Sequence, residues 1–190
     1  MLLLVGLGNP GPKDLNNRHN IGFRIIDAVN SHFKLSKQKP KFKGLLTTGM
    51  IGEHKVYAIK PLTFMNNSGT AIKELIDYFK IDAKDVIVFH DDLDIDFGKI
   101  KAKFAGSSAG HHGIDSIDKF IGKDYSRVRI GIGHPKDIKK VNNHVLEDFK
   151  EDEEDQVKEI SENIVKLLPT LLEKKIDLFS SKVNHNINGI

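Results

Sequence analysis

Two rhythms of apolar residues run along this chain. A continuous apolar run at residues 2–6 reads as a buried strand, and Ile21, Ile25, Ala28, Val29 and Phe33 fall near helical spacing, so the chain opens strand, loop, helix. The loop between them is long and polar. Residues 41–49 and 54–60 read as strands joined by a turn at Ile51-Gly52-Glu53, and residues 67–79 as a helix with Ala71, Leu75, Ile76 and Phe79 on one face. Residues 86–89 form a compact apolar strand that runs into His90-Asp91-Asp92. Residues 99–104 alternate strictly, Lys99, Lys101 and Lys103 against Ile100, Ala102 and Phe104, which predicts a half-exposed strand.

A Gly/Ser stretch at 105–113 leads into a helix marked by Ile114, Ile117, Phe120 and Ile121, and residues 127–133 give another strand. The longest amphipathic pattern covers 151–168, with the acidic run 151–155 in its first turns, where the helix dipole favours negative charge. Pro169 is expected to kink or interrupt that helix, and residues 180–190 read as a loose polar end. Strands alternating with helices, and a lysine-faced strand so soon after 86–89, predict class α/β. The expected architecture is a single three-layer domain over residues 1–190, a twisted mixed β-sheet with helices on both faces.

Composition and charge add four constraints. Hydrophobic residues at 39% and charged residues at 29% place the chain outside the range of disordered sequences. The absence of Cys excludes disulfides, thiolate metal sites and cysteine nucleophiles, and fits a reducing compartment. The apolar run at 1–5 has no basic flank and is too short to span a bilayer, so a soluble, cytoplasmic protein is expected. The net charge of +3 is spread unevenly: 23 Lys/Arg stand against 15 Asp/Glu up to residue 146, and 6 against 11 after it. A basic body with an acidic tail can hold a polyanion on one face.

Two motif matches fail on their context. Gly6-Leu7-Gly8-Asn9-Pro10-Gly11 fits the dinucleotide fingerprint, but that fingerprint needs a helix starting inside the glycine run, and here polar residues continue to Asn20. The acid at about the required distance, Asp27, falls inside the first helix. Gly106-Ser107-Ser108-Ala109-Gly110 fits the nucleophile elbow of serine hydrolases. An elbow follows a strand buried on both faces, whereas 99–104 carries a lysine at every second position.

The remaining chemistry gathers at strand ends: Asn9, His19 in the loop that follows it, Asn66 just before a helix, Asp91, and the pair His111-His112. Ligands of α/β sheets bind at the carboxyl ends of the strands. A His with a carboxylate partner deprotonates water, because the acid fixes the tautomer and steadies the imidazolium, and Asn amides donate to an oxyanion without adding charge. Such a set suits direct water attack on an ester or amide. Each residue also has a structural reading: Asn9 in the Asn-Pro-Gly turn, Asn66 as a helix cap, Asp91 as a strand end, His19 as a packed ring.

Six blocks in order give the chain a recognisable signature: 5–11 (Val-Gly-Leu-Gly-Asn-Pro-Gly), 18–22 (Arg-His-Asn-Ile-Gly), 61–69 (Pro-Leu-Thr-Phe-Met-Asn-Asn-Ser-Gly), 90–94 (His-Asp-Asp-Leu-Asp), 110–113 (Gly-His-His-Gly) and 129–135 (Arg-Ile-Gly-Ile-Gly-His-Pro). In these residues the sequence resembles the bacterial peptidyl-tRNA hydrolase family. The resemblance implies a monomeric α/β hydrolase with no metal or organic cofactor. Its partner would be peptidyl-tRNA, whose peptide ester it would cleave to recycle tRNA dropped by ribosomes, a translation and ribosome-rescue role. Carried over by position, His19 would activate water and Asp91 orient it; Asn9 and Asn66 would bind substrate at the ester and stabilise the oxyanion; Phe64 and Met65 would line the cleft. His112 stands where the family usually has Asn, Asp14 where a Tyr is common, and Asn17 where a Thr precedes Arg-His.

For the tRNA, Lys101 and Lys103, with Lys99 on the same face, and Arg127 or Arg129 are expected to meet backbone phosphate, reading shape and charge rather than base. Residues 136–150 are expected to form a mobile flap beside the cleft. Three other readings stay open from the residues: a serine esterase using Ser108, a metal hydrolase using His90, Asp91, Asp92 and His111, and a tRNA-binding protein without catalysis.

Overall fold

The structure, a computed structural model, describes residues 1–188. Seven strands form one mixed sheet: β1 (Leu2–Gly6), β2 (Lys39–Lys41), β3 (Gly44–Ile51), β4 (His54–Pro61), β5 (Val86–Asp92), β6 (Ile100–Phe104) and β7 (Ser126–Gly131), in the spatial order β2-β3-β4-β1-β5-β7-β6. The four central strands β4, β1, β5 and β7 are parallel, and the outer strands β3, β2 and β6 pair antiparallel. Buried on both faces, β1 reads as an unbroken apolar run. From β1 the chain builds β2 to β4 on one side and then returns to place β5 on the other, so the β1/β5 boundary is the switch point where α/β sheets bind ligands.

Six helices complete the layers: α1 (Ile21–His32), α2 (Ser68–Phe79), α3 (His112–Ile121), α4 (Val141–Leu146), α5 (Glu151–Leu172) and α6 (Ile176–Asn188). Ile25, Ile26 and Val29 of α1, Ile160, Ile164 and Leu168 of α5 and Phe179 and Val183 of α6 close one apolar core against the sheet. Ile72 and Leu75 of α2 and Ile114 and Ile117 of α3 close a second core on the opposite face. This is the three-layer α/β arrangement expected from the alternation of elements.

Two expectations are corrected. α5 continues through Pro169 to Leu172; the ring removes one backbone hydrogen bond, but Leu168, Leu171 and Leu172 are buried on both sides of it and hold the last turn in place. Residues 180–188 are not a loose end but the body of α6; residues 189 and 190 of that expectation lie outside the described residues. Residues 136–150 contain a 3-10 turn (Ile138–Lys140) and α4. A short edge strand, β2, was not foreseen: its Lys-Pro-Lys sequence is fully exposed, and the turn to β3 runs through Phe42 and Lys43 at positive φ. Lysines on an edge strand discourage pairing with other chains.

Candidate active site

Close backbone approach sets the geometry at the switch point. A Cβ on Gly22 would lie 2.4 Å from Leu7 N and Phe89 O, and one on Gly6 would lie 2.2 Å from Gly22 O. Only glycines let the start of α1 press onto the ends of β1 and β5. A 3-10 turn, Arg18–Asn20, immediately precedes α1 and carries His19 over the end of β5. Arg18 is buried and fastens this turn from behind, donating to the carbonyls of Glu147 and Asp148 and to the Glu153 carboxylate at 2.7 Å.

His19 Nδ1 lies 2.8 Å from both oxygens of Asp91. Since an ionised carboxylate only accepts, Nδ1 carries the proton, and Nε2 is left as the ring's acceptor in a residue that lines the cleft. That cleft, about 340 Å3, is bounded by His19, Asp91, Leu93, Ser108, His111 and Val145 among others. Burial works against charging His19, but the Asp91 charge and hydrogen bond, with a further contribution from Asp14, hold its pKa above the ordinary imidazole value. Burial likewise opposes the Asp91 charge, yet His19 and His111 together hold the carboxyl well below the usual carboxylate range.

His111 was expected only as one of a strand-end pair with His112 and as a candidate metal ligand, with no role beside His19 and Asp91. Its Nε2 lies 2.9 Å from Asp91 Oδ1, while its Nδ1 accepts from the backbone N–H groups of Gly113 and Ile114 as the N-cap of α3. A His directly before the apolar face of a helix is the sequence signal for such a cap, but the pattern does not tell His111 from His112. His112 turns out to solvent, on the ridge between the cleft and a second groove of about 650 Å3.

Asn9 is fixed on three sides. Its N–H donates to Asn20 Oδ1 at 2.8 Å, its carbonyl accepts from Asn20 Nδ2 at 2.9 Å, and its Oδ1 accepts from Met65 N at 2.8 Å. The side-chain amide therefore presents Nδ2 as its remaining donor, tied to the residue next to His19. Phe64, at φ +59°, strains the backbone to aim the Met65 N–H at Asn9.

Other expected residues sit elsewhere. Asn66 is exposed and lines the second groove, which shares Ser108 and His112 with the cleft. Met65 is buried beneath the site, its sulfur against Gly113, and Phe64 is exposed; neither lines the cleft. Arg127 is 2% exposed and points inward, donating to the carbonyls of Ser107 and Ala105, so it holds the Gly/Ser loop rather than standing free for phosphate. Lys101 is exposed, Lys103 half-buried, and Arg129 is paired with Asp92 at 2.7 Å. The two departures at 14 and 17 are partners: Asn17 Nδ2 donates to the buried Asp14 carboxylate at 3.0 Å, while Asn17 Oδ1 accepts from Asn20 N.

The competing chemistries lack their geometry. Ser108 Oγ accepts from Gly110 N, no base is bonded to it among the described residues, and β6 before it is an antiparallel edge strand. Asp27 pairs with Lys60 at 2.6 Å, away from any nucleotide role. Asp92 is occupied by Arg129 and the Asp94 N–H, and His90 Nδ1 donates to the Asp91 carbonyl, so the four candidate metal-binding residues do not converge. His19, Asp91 and His111 do bring donor atoms within 4.8 Å of one another, but their facing atoms are joined in hydrogen bonds that a metal ion would have to replace.

A parallel-centred α/β sheet with a histidine–carboxylate pair in a cleft at its switch point defines an enzyme of the hydrolytic kind. The family model described as peptidyl-tRNA hydrolase matches residues 3–189. A peptidyl-tRNA hydrolase of Pelagibacter ubique is 71% identical over 97% of this chain and all of its own length, and one from Ehrlichia ruminantium (strain Welgevonden) is 45% identical over 95% and 93%. The crystal structure of peptidyl-tRNA hydrolase from Acinetobacter baumannii superposes with a TM-score of 0.91 at 31% identity, covering 97% of this chain and 94% of that one. The chain belongs to the peptidyl-tRNA hydrolase family, an enzyme family of carboxylic ester hydrolases.

Proposed function

We propose that the protein hydrolyses the ester between peptide and tRNA in peptidyl-tRNA, and that it does so by direct attack of a water activated at His19, without a covalent intermediate. The observation that carries the mechanism is the bidentate approach of Asp91 to His19 Nδ1 at 2.8 Å, which leaves Nε2 as the base. Water bound at Nε2 gives up its proton as its oxygen attacks the ester carbonyl. The imidazolium that forms is steadied by Asp91 and then returns the proton to the departing ribose oxygen. Asn9, held by Asn20 and Met65, directs Nδ2 to the developing oxyanion. Asn66, on the adjoining groove that His112 also lines, would meet the peptide side of the substrate.

Charge on the outer strands supports tRNA as the other half of the substrate. Lys101 stands opposite Arg129 and Lys103 opposite Arg127 in the β6/β7 ladder, and like charges directly opposite one another cost stability. Burial, then Arg127 and Arg129, hold the Lys103 ammonium below the usual lysine value. With Arg127 turned inward and Arg129 held by Asp92, Lys101 and Lys103 are the charges of this ladder left to meet an anion. No helix among the described residues is long and apolar enough to cross a membrane; we take the enzyme to act as a cytoplasmic monomer on tRNA released from stalled translation. The test is incubation with N-acetyl-aminoacyl-tRNA and with free aminoacyl-tRNA. Release of tRNA from the first alone is expected; equal cleavage of both, or of neither, overturns the reading.

A further inference from the structure

Asp91 serves two histidines, and only His19 is used by the mechanism above. His111 approaches the same carboxylate oxygen from the other side, its ring 5.0 Å from that of His19, so the charge on Asp91 is divided between two N–H donors. The second donor is locked in one form. Nδ1 of His111 accepts from two backbone N–H groups at the start of α3, so the ring is the Nε2–H tautomer, and a proton on Nδ1 would break the cap. Behind it the buried ring of His90 stands edge-on at 4.8 Å, its Nδ1–H given to the Asp91 carbonyl and its Nε2 without a partner. Burial, followed by the proximity of His111, keeps His90 neutral.

We propose that His111 is a positioning residue of the reaction: through its fixed Nε2–H it holds one oxygen of Asp91 and draws charge from that carboxylate, setting how strongly His19 binds a proton. The inference rests on the proposed function, since it acts only through the His19–Asp91 pair. The groups around that pair are Asp14 and Arg18 from the loop before α1, His90, Asp92 and Asp94 from β5 and the turn after it, His111 and His112 at the start of α3, and His134 after β7. Of these, Arg18 is paired with Glu153 and Asp92 with Arg129. Among the described residues, Asp91 is the one carboxylate bonded to either ring.

Two variants separate the two ends of the His111 ring. His111→Asn keeps an acceptor where Nδ1 caps α3 but is too short to reach Asp91; His111→Gln carries a donor near the position of Nε2 but gives up the cap. The Asn variant should lose kcat by roughly tenfold or more at little change in KM, as expected for removing a hydrogen bond to a buried charge. Its acid limb in the pH profile of kcat should also move to higher pH, because the undivided Asp91 charge then favours the His19 imidazolium. The Gln variant should recover most of kcat and the original limb while melting at a lower temperature, for want of a helix cap. Should the Asn variant fail to fold, retention of kcat and limb in a destabilised Gln variant still supports the assignment. Wild-type kcat and limb in the Asn variant, or a Gln variant no better than the Asn one, overturns it. His19→Ala in the same assay keeps the two readings apart: an inactive His19→Ala beside a silent His111→Asn removes only the positioning role, whereas an active His19→Ala removes both.

Discussion

At the scale of residues, the site depends on two charges that are stable only as a pair. With its folded pKa above the ordinary 6.5, His19 contributes stability that is fully present below about pH 6.5 and is lost as pH rises through the raised folded value. Asp91, depressed below 3.8, contributes stability present above the ordinary carboxylate range and lost as pH falls through its own folded value. Activity has the opposite slope on the acid side, because the base must be neutral: the acid limb of kcat/KM should lie above pH 6.5. Asp14 adds to the raised value, so Asp14→Asn should move that limb to lower pH with Asp91 untouched, and a limb that stays in place would remove Asp14 from the account. The pairing of Asp14 with Asn17 gives these two departures from the family pattern a common physical cause. His19, Asp91 and Asn9 were legible in the sequence as polar residues at strand ends. His111 was legible only as half of a pair with His112, because spacing shows two adjacent histidines and only the cap geometry turns one of them toward the carboxylate.

At the scale of elements, most strands and helices follow their periodicity, and the failures have particular causes. Pro169 ends a helix by propensity, but tertiary burial of Leu168, Leu171 and Leu172 outweighs the loss of one bond. In α6 the apolar positions Ile176, Phe179, Val183 and Ile187 are spaced for a helix, yet the polar residues between them suggested a loose end. Those polar residues have a use that no one-dimensional pattern displays: Asn184 donates to Ile100 O at 2.6 Å and accepts from Ile100 N at 2.9 Å, and Ser180 accepts from Ala102 N at 2.9 Å. Side chains of α6 thus close the outer edge of β6 as a further strand would. Asn184→Ala should destabilise the protein by about 1–3 kcal/mol in chemical denaturation, since it leaves two half-buried backbone groups unpaired. A change below about 0.5 kcal/mol would mean that water replaces these bonds.

Over the whole molecule, charge and topology divide the labour. The acidic start of α5 is not idle surface: Glu153 and Glu154 bind Arg18 and Arg24, so this helix braces the His19 turn. Lys101 and Lys103, which form no ion pair among the described residues, lie on β6 at the end of the sheet beside β7. Lys101→Ala with Lys103→Ala should weaken cleavage of tRNA substrates and flatten its dependence on salt, while a minimal peptidyl ester is turned over at the original rate. Equal loss on both substrates would assign the lysines to the fold instead. The mixed α/β class could be read from the order of elements. The meeting of residues 9, 19, 91 and 111 could not, because it depends on a crossover that brings β5 beside β1.

The water-activating role of His19 is tested most directly by single-turnover hydrolysis of N-acetyl-aminoacyl-tRNA by His19→Ala and by Ser108→Ala. The account predicts a loss of about 10³-fold or more for the first and a rate near the unmodified enzyme for the second. A silent His19→Ala beside an inactive Ser108→Ala would contradict it and make the serine the nucleophile.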